Sequence, residues 1–144
     1  MRLYVFGNGN LSFDAFCTHY VPALDRALAT GASFIVCEFR GADTLTLEWL
    51  KTRSADVEVL HVGERPRYLP DRYRTKVSGW VVSGGFANDD ERDSAALLRC
   101  THVLARDFNS KPERTSGTGK LLARAEALGR PVLRVPLEPS SDHQ

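Results

Sequence analysis

Short aliphatic and β-branched runs alternating with segments of helical spacing constrain this chain more than any other feature. The runs are residues 3 to 6 (Leu-Tyr-Val-Phe), 33 to 37 (Ser-Phe-Ile-Val-Cys), 57 to 62 (Val-Glu-Val-Leu-His-Val), 102 to 106 (His-Val-Leu-Ala-Arg) and 132 to 135 (Val-Leu-Arg-Val). Each has the length and composition of a strand. Among the intervening segments, Leu121, Ala125 and Leu128 follow i, i+4, i+7, and the run is closed by Gly129 with Pro131 beyond it. Leu45 with Trp49, and Leu47 with Leu50, place a second helix that starts near Asp43, whose carboxylate is positioned to accept the first free backbone N–H groups. Phe13, Phe16, Tyr20, Leu24, Ala27 and Leu28 also keep helical phase. Pro22 fits only the first turn of a helix, so the main helix here is expected to begin at Pro22 after a looser stretch.

Strands that alternate with helices in this way form parallel βαβ units, and right-handed crossovers leave few ways to connect them. The expected fold class is α/β: a Rossmann-like, doubly wound, mostly parallel five-stranded sheet with helices on both faces. With 144 residues, 42% of them hydrophobic, the chain has the size of one ordinary domain, expected over residues 1–137. Residues 63–87 break the rhythm with Pro66, Pro70, Gly79, Gly84 and Gly85, and read as a long loop or lid insertion, or as a span hiding a small extra element. Residues 138–144 are polar and read as a disordered tail.

Nineteen basic and eighteen acidic side chains leave a formal charge of +1, so no global field draws the chain toward nucleic acid or membrane. Cys17, Cys37 and Cys100 are odd in number and widely spaced, which fits reduced thiols better than a disulfide framework or a Cys-x-x-Cys zinc site. Met1 leads directly into Arg2-Leu3-Tyr4-Val5-Phe6, too short for a signal-peptide apolar region, and no run approaches the ~20 apolar residues that span a bilayer. These features predict a cytoplasmic protein. The histidines show no spacing that would gather them as metal ligands, and no motif calls for a cofactor.

In open parallel sheets the ligand lies beyond the carboxyl ends of the strands, so the turns that follow the strands carry the functional reading. After the first strand comes Gly7-Asn8-Gly9-Asn10, where glycine permits close backbone approach and Asn8 and Asn10 offer donors and acceptors. A dinucleotide fingerprint would need glycine at position 12, where Ser12 stands, and Glu38 lies later than that motif expects. After the second strand, Arg40-Gly41-Ala42-Asp43 forms a glycine turn into a helix, with Asp43 either a cap or a site residue. After the fourth run, Asp107-Phe108-Asn109 is followed by Arg114-Thr115-Ser116-Gly117-Thr118-Gly119-Lys120 at the start of the last helix. Small residues there leave N–H groups free, the helix dipole adds positive potential, and Ser116 and Thr118 supply hydroxyls, which together suit a phosphate. A P-loop is excluded, because Arg114 and Leu121 stand where that motif needs glycine and Ser or Thr. Asn88 and Glu91 have capping-box spacing, which leaves Arg92 and Asp93 unexplained. The loop from 64 to 80 mixes Arg65, Arg67, Arg72, Arg74 and Lys76 with Tyr68, Tyr73 and Trp80, compatible with RNA, with a lid over a phosphorylated ligand, or with a solvated loop.

The order and spacing of Arg40-Gly41-Ala42-Asp43-Thr44-Leu45, Arg92-Asp93 with Ala96-Leu97, and Thr115-Ser116-Gly117-Thr118-Gly119 resemble the SLOG superfamily. That group includes the LOG cytokinin-activating phosphoribohydrolases and small bacterial proteins related to YpsA. The resemblance runs from Phe6-Gly7 to Pro131-Val132 and implies a Rossmann-like binder of nucleotides or nucleotide-derived ligands, often a homodimer. Carried over position by position, it implies that Gly7, Gly41, Asp43, Arg92, Asp93, Gly117 and Thr118 line the pocket, with Gly117 and Thr118 on phosphate. In LOG enzymes a catalytic glutamate follows the Gly-Thr pair where Leu121 stands here. Glu126 lies eight residues past Thr118, about 12 Å along a helix axis, and cannot replace it.

The sequence therefore points first to a binding or sensing module for a nucleotide-like, phosphorylated small molecule, with Gly7, Asn8, Asn10, Arg40, Gly41, Asp43, Arg92, Asp93, Ser116, Gly117, Thr118 and Gly119 as ligand-binding residues. The alternative is an enzyme that cleaves or transfers an N-glycosidic bond, with Asp43, Asp93 or Asp107 as acid, base or nucleophile. A nucleic-acid partner is the weaker reading at this net charge.

Overall fold

Five parallel strands form one sheet in the order β4-β3-β2-β1-β5 in the computed structural model, which describes residues 1–70 and 79–135. The strands are β1 (Arg2–Val5), β2 (Ser33–Val36), β3 (Val57–Val62), β4 (Val81–Phe86) and β5 (His102–Leu104). Phe34, Ile35 and Val36 of β2 are each 0% exposed, as required of a strand covered on both faces of a parallel sheet. On one face Leu3, Val5, Phe34, Val36 and Val59 pack against α1 (Phe13–His19), α2 (Val21–Ala29) and α3 (Ala42–Leu50) through Phe16, Leu24, Leu47 and Leu50. On the other, Tyr4, Ile35, Leu60 and Val103 pack against α4 (Asp89–Arg99) and α5 (Gly117–Ala127) through Leu97, Leu121 and Ala125. The chain winds outward from β1 to β4, then returns to place β5 on the other side of β1. This is the doubly wound, Rossmann-like architecture.

Two strand assignments differ from the sequence reading. The run 132 to 135 is not a strand: Val132 makes only an isolated bridge to Val103. Pro131 has no N–H to give a ladder, and Arg134 and Val135 lie exposed, so the run closes on β5 without extending the sheet. The fifth strand is instead β4, inside the 63–87 span, and is therefore the extra element that the span concealed. Its Gly84 has a packing reason, because any Cβ there would enter the ring of buried His61 on β3. The expectation of a disordered tail at 138–144, and the domain end at 137, fall outside the described residues. So do Arg72, Tyr73, Arg74 and Lys76 of the Arg/Tyr loop.

The first crossover contains two helices rather than a loose stretch and one helix. Ser12 caps α1 by accepting from Ala15 N–H at 3.1 Å, and Pro22 sits in the first turn of α2. Asp43 does not cap α3. The helix starts from Gly41 at φ +72°, where a Cβ would collide with the backbone of Asn8 and Gly9, and Asp43 Oδ2 instead accepts the Phe39 N–H at 3.0 Å. At the end of β1, buried Tyr20 donates its hydroxyl to Phe6 O at 2.8 Å and accepts the Arg106 N–H at 3.0 Å, so it ties the exits of β1 and β5 together. Tyr20→Phe leaves both groups unpaired, and urea unfolding is expected to register a loss of about 1–3 kcal/mol.

Candidate functional site

The reversal of winding between β1 and β5 opens a crevice at their carboxyl ends, the place where doubly wound sheets hold ligands. A cleft of about 380 Å³ lies there, near the lower bound of about 300 Å³ for sites that take small organic molecules. It is lined by Gly7, Asn8, Asp43, Arg92, Asp93, Ser116, Gly117 and Thr118 from the sequence-derived set. Asn10, Arg40, Gly41, Asp107 and Gly119 do not line it. Asn10 accepts a hydrogen bond from the Asn109 amide at 2.9 Å, and the Arg40 guanidinium lies 5.2 Å from the Phe39 ring centre. Gly41 shapes the turn behind the cleft, and Gly119 N–H donates to Ser116 Oγ.

One end of the cleft is built for an anion. Ser116 caps α5, its Oγ accepting from Gly119 N–H at 3.0 Å, while the Lys120 N–H bonds Ser116 O. The N–H groups of Gly117 and Thr118 have no acceptor among the described residues, as expected of the first turn of a helix. Asn8 is buried and fully used: its amide donates to Thr118 Oγ1 at 3.1 Å and to Asp107 at 3.3 Å, and its carbonyl accepts from Phe108 N–H at 2.8 Å. Thr118 Oγ1 accepts that bond, which leaves its own hydrogen to donate. Asp107 braces the loop through Ser116 Oγ at 2.7 Å, Asn109 N–H at 3.0 Å and the Ser110 hydroxyl. Slight burial opposes its charge, but these bonds outweigh it and hold the carboxyl down at about 2. Asp107 is thus a structural brace for the anion-binding turn, and its carboxyl is ionised at neutral pH.

The other end is acidic. Asp43 is 5% exposed, and burial pushes its carboxyl up to about 7 against the Phe39 N–H bond and the charge of Arg92, which favour ionisation. The charge of Asp93, which lines the same cleft, adds to the rise. Asp93 is also raised by burial, although Arg92 and the Tyr4 hydroxyl act in the opposite direction.

Beneath these two lies a residue that the sequence reading did not place in the site. Glu38, at the end of β2, has a side chain that is 0% exposed and is held by Arg92 at 2.6 Å and by Arg67 at 3.0 and 3.1 Å. Burial works against its charge, but the hydrogen bonds and charges of Arg67 and Arg92 outweigh it and lower its pKa. Arg92 in turn donates to Asp93 at 2.9 and 3.2 Å. The sequence carried one clue: a lone carboxylate closing an apolar run demands a cation, and Arg92 was one of the two helix residues, with Asp93, that capping left unexplained.

Of the described members of the Arg/Tyr loop, Arg65 is exposed, while Arg67, Tyr68 and Trp80 make contacts within the chain. Arg67 pairs with Glu38 and Asp89, Tyr68 donates its hydroxyl to Glu48, and Trp80 is buried with Nε1 on Ser54 O at 2.8 Å. Trp80 is therefore a core residue and offers no face for stacking. Among the described residues, no group of three or more His, Cys, Asp or Glu side chains could hold a metal ion, and no helix is long and apolar enough to cross a membrane. The three cysteines are free thiols. The chain matches no protein-family model, no curated protein and no solved structure.

Proposed function

We propose that this chain binds a nucleotide or a nucleotide-derived phosphorylated small molecule, with phosphate at the start of α5 and the nucleoside part along the cleft toward Asp43 and Asp93. The observation that carries the reading is the pair of N–H groups at Gly117 and Thr118 that have no acceptor among the described residues, at a cleft at the switch point between β1 and β5. Arg114 lines the same cleft and adds positive charge at that end. The resemblance to the SLOG superfamily supports the same ligand class, and extends the reading to a cytoplasmic homodimer.

Binding is favoured over turnover because Leu121 lines the cleft where the resemblance expects a catalytic glutamate. The second reading, an N-glycosidic hydrolase or transferase, rests on Asp43: a carboxyl with a pKa near 7 can hold a proton for a departing base. Calorimetric titration with nucleoside 5′-monophosphates and with the matching nucleosides tests the proposal. The monophosphates are expected to bind about tenfold or more tightly than the nucleosides, the weight of hydrogen bonds to a charged group. Equal affinities, or no binding of either, overturn it. Chromatography of the same mixtures is expected to show little free base; rapid release that is lost in Asp43→Asn or Asp93→Asn establishes the enzyme instead.

A further inference from the structure

We infer that Asp43 and Asp93 form a clamp for the vicinal 2′,3′-hydroxyls of a ribose, so that the ligand is a ribonucleotide and not a deoxyribonucleotide. This rests on the nucleotide reading above and narrows it to one sugar.

The geometry of hydrogen bonding at the two carboxylates points the same way. Asp93 Oδ1 takes every bond that its carboxylate accepts from described residues: the Tyr4 hydroxyl at 3.1 Å, Arg92 Nε at 3.2 Å, Arg92 Nη2 at 2.9 Å and the Cys37 thiol at 3.9 Å. Its Oδ2 takes none. Asp43 is tethered in the same manner, with Oδ2 accepting the Phe39 N–H at 3.0 Å and Oδ1 accepting nothing from a described residue. Each carboxylate is therefore fixed by one oxygen and leaves the other free, and both line the same cleft. Asp43 is only 5% exposed, and its free oxygen keeps access to the cleft. An ionised carboxylate only accepts, and two acceptors lining one cleft call for two donors on the ligand. A cis-diol supplies them.

The position that dinucleotide-binding sheets use for this task is not available. That position lies at the end of the second strand, where Glu38 stands, and Arg92 and Arg67 already engage both of its oxygens. The ionic network makes Glu38 the support of the clamp rather than a jaw. It holds Arg92, and Arg92 fixes Asp93. The cleft then has an anion-binding end at Gly117 and Thr118 and an acceptor end at Asp43 and Asp93, which is the polarity of a ribose 5′-phosphate.

The test is calorimetry at pH 8, above the value of about 7 at which Asp43 ionises, with the four ribonucleoside 5′-monophosphates and their 2′-deoxy counterparts. The best ribonucleotide is expected to bind about ten- to a hundredfold more tightly than its 2′-deoxy analogue, since one hydrogen bond to a charged group is lost. Asp93→Asn and, separately, Asp43→Asn are expected to weaken the ribonucleotide far more than the deoxynucleotide, bringing the two within about threefold. Circular-dichroism melting of each variant checks that it is folded. Equal affinity of the ribo and deoxy compounds for the unmodified protein overturns the clamp and leaves the nucleotide reading standing. No binding of any monophosphate overturns both. Discrimination that survives in both folded variants removes the clamp from these two residues.

Discussion

Gly117→Asp is expected to abolish phosphate-dependent binding while leaving the protein folded. Gly117 is the first residue of α5, and a Cβ built on it meets nothing within 4 Å. The added Cβ therefore introduces no clash. An acidic side chain in the first turn of a helix is itself favourable by about 0.3–1 kcal/mol, because it meets the positive end of the dipole and the free N–H groups. That same interaction is what removes the ligand: the new carboxylate occupies the Gly117 and Thr118 donors and repels an incoming phosphate. Affinity is expected to fall by about two orders of magnitude, the equivalent of about 2.7 kcal/mol. The melting temperature is expected to hold or rise slightly. Gly117→Ala adds bulk without charge and is expected to bind nearly as the unmodified protein does. A folded Gly117→Asp protein with undiminished nucleotide affinity would falsify the placement of phosphate on α5. The opposite signs for stability and binding distinguish loss of the site from loss of the fold.

The parts of this fold that were legible in the sequence are those whose physics is local. Asn88 and Glu91 read as a capping box, and Asn88 Oδ1 does accept the Glu91 N–H at 2.8 Å, although Glu91 reaches back to Ala87 rather than to Asn88. Gly129 ends α5 at φ +72° as its spacing after Leu128 implied. The apolar runs of β1, β2 and β3 are long enough to identify themselves. β4 did not, because Val81-Val82-Ser83-Gly84-Gly85-Phe86 carries two glycines, and the ring that requires Gly84 belongs to His61 on another strand.

The site divides along the same line. The Ser116-to-Gly119 cap is contiguous and could be read directly, whereas the Glu38 network joins residues separated by 54 positions to Arg92 and by 29 to Arg67. No local pattern encodes those pairings. Only a general rule applies, that a carboxylate interrupting a buried run must have a partner, and the rule does not name which cation answers. Asn10 and Asp107 show the converse. Their residue types suited ligand contact, but Asn109 bonds the one and the Ser110, Asn109 and Ser116 donors hold the other, so both shape the turn instead.

Asp43→Asn is expected to stabilise the protein at pH 8 and to do little at pH 4. The direction follows from proton linkage. Burial raises the folded-state pKa of Asp43 from 3.8 to about 7, so the folded protein binds a proton here that the unfolded chain has already released. Below about pH 4 both states are protonated and the residue is neutral to stability. Between pH 4 and 7 the unfolded state ionises first, so stability falls as pH rises, and above pH 7 the whole penalty is present. A shift of about 3 units corresponds to roughly 4 kcal/mol, as an upper estimate. Asparagine keeps an oxygen for the Phe39 N–H and carries no charge, so it escapes the penalty. For a domain of this size the melting temperature at pH 8 is expected to rise by on the order of 10 °C. At pH 4 the variant and the parent should melt within a few degrees of each other. Asp107 and Glu38, both lowered, act with the opposite sign, since their stabilisation is present at neutral pH and lost as pH falls. The variant-minus-parent difference cancels them and isolates Asp43. A variant no more stable than the parent at pH 8 would show that Asp43 ionises in the folded protein as easily as in water. A gain in stability that grows with pH, together with weakened ligand binding, would mark Asp43 as a residue held in the cleft at a cost to the fold.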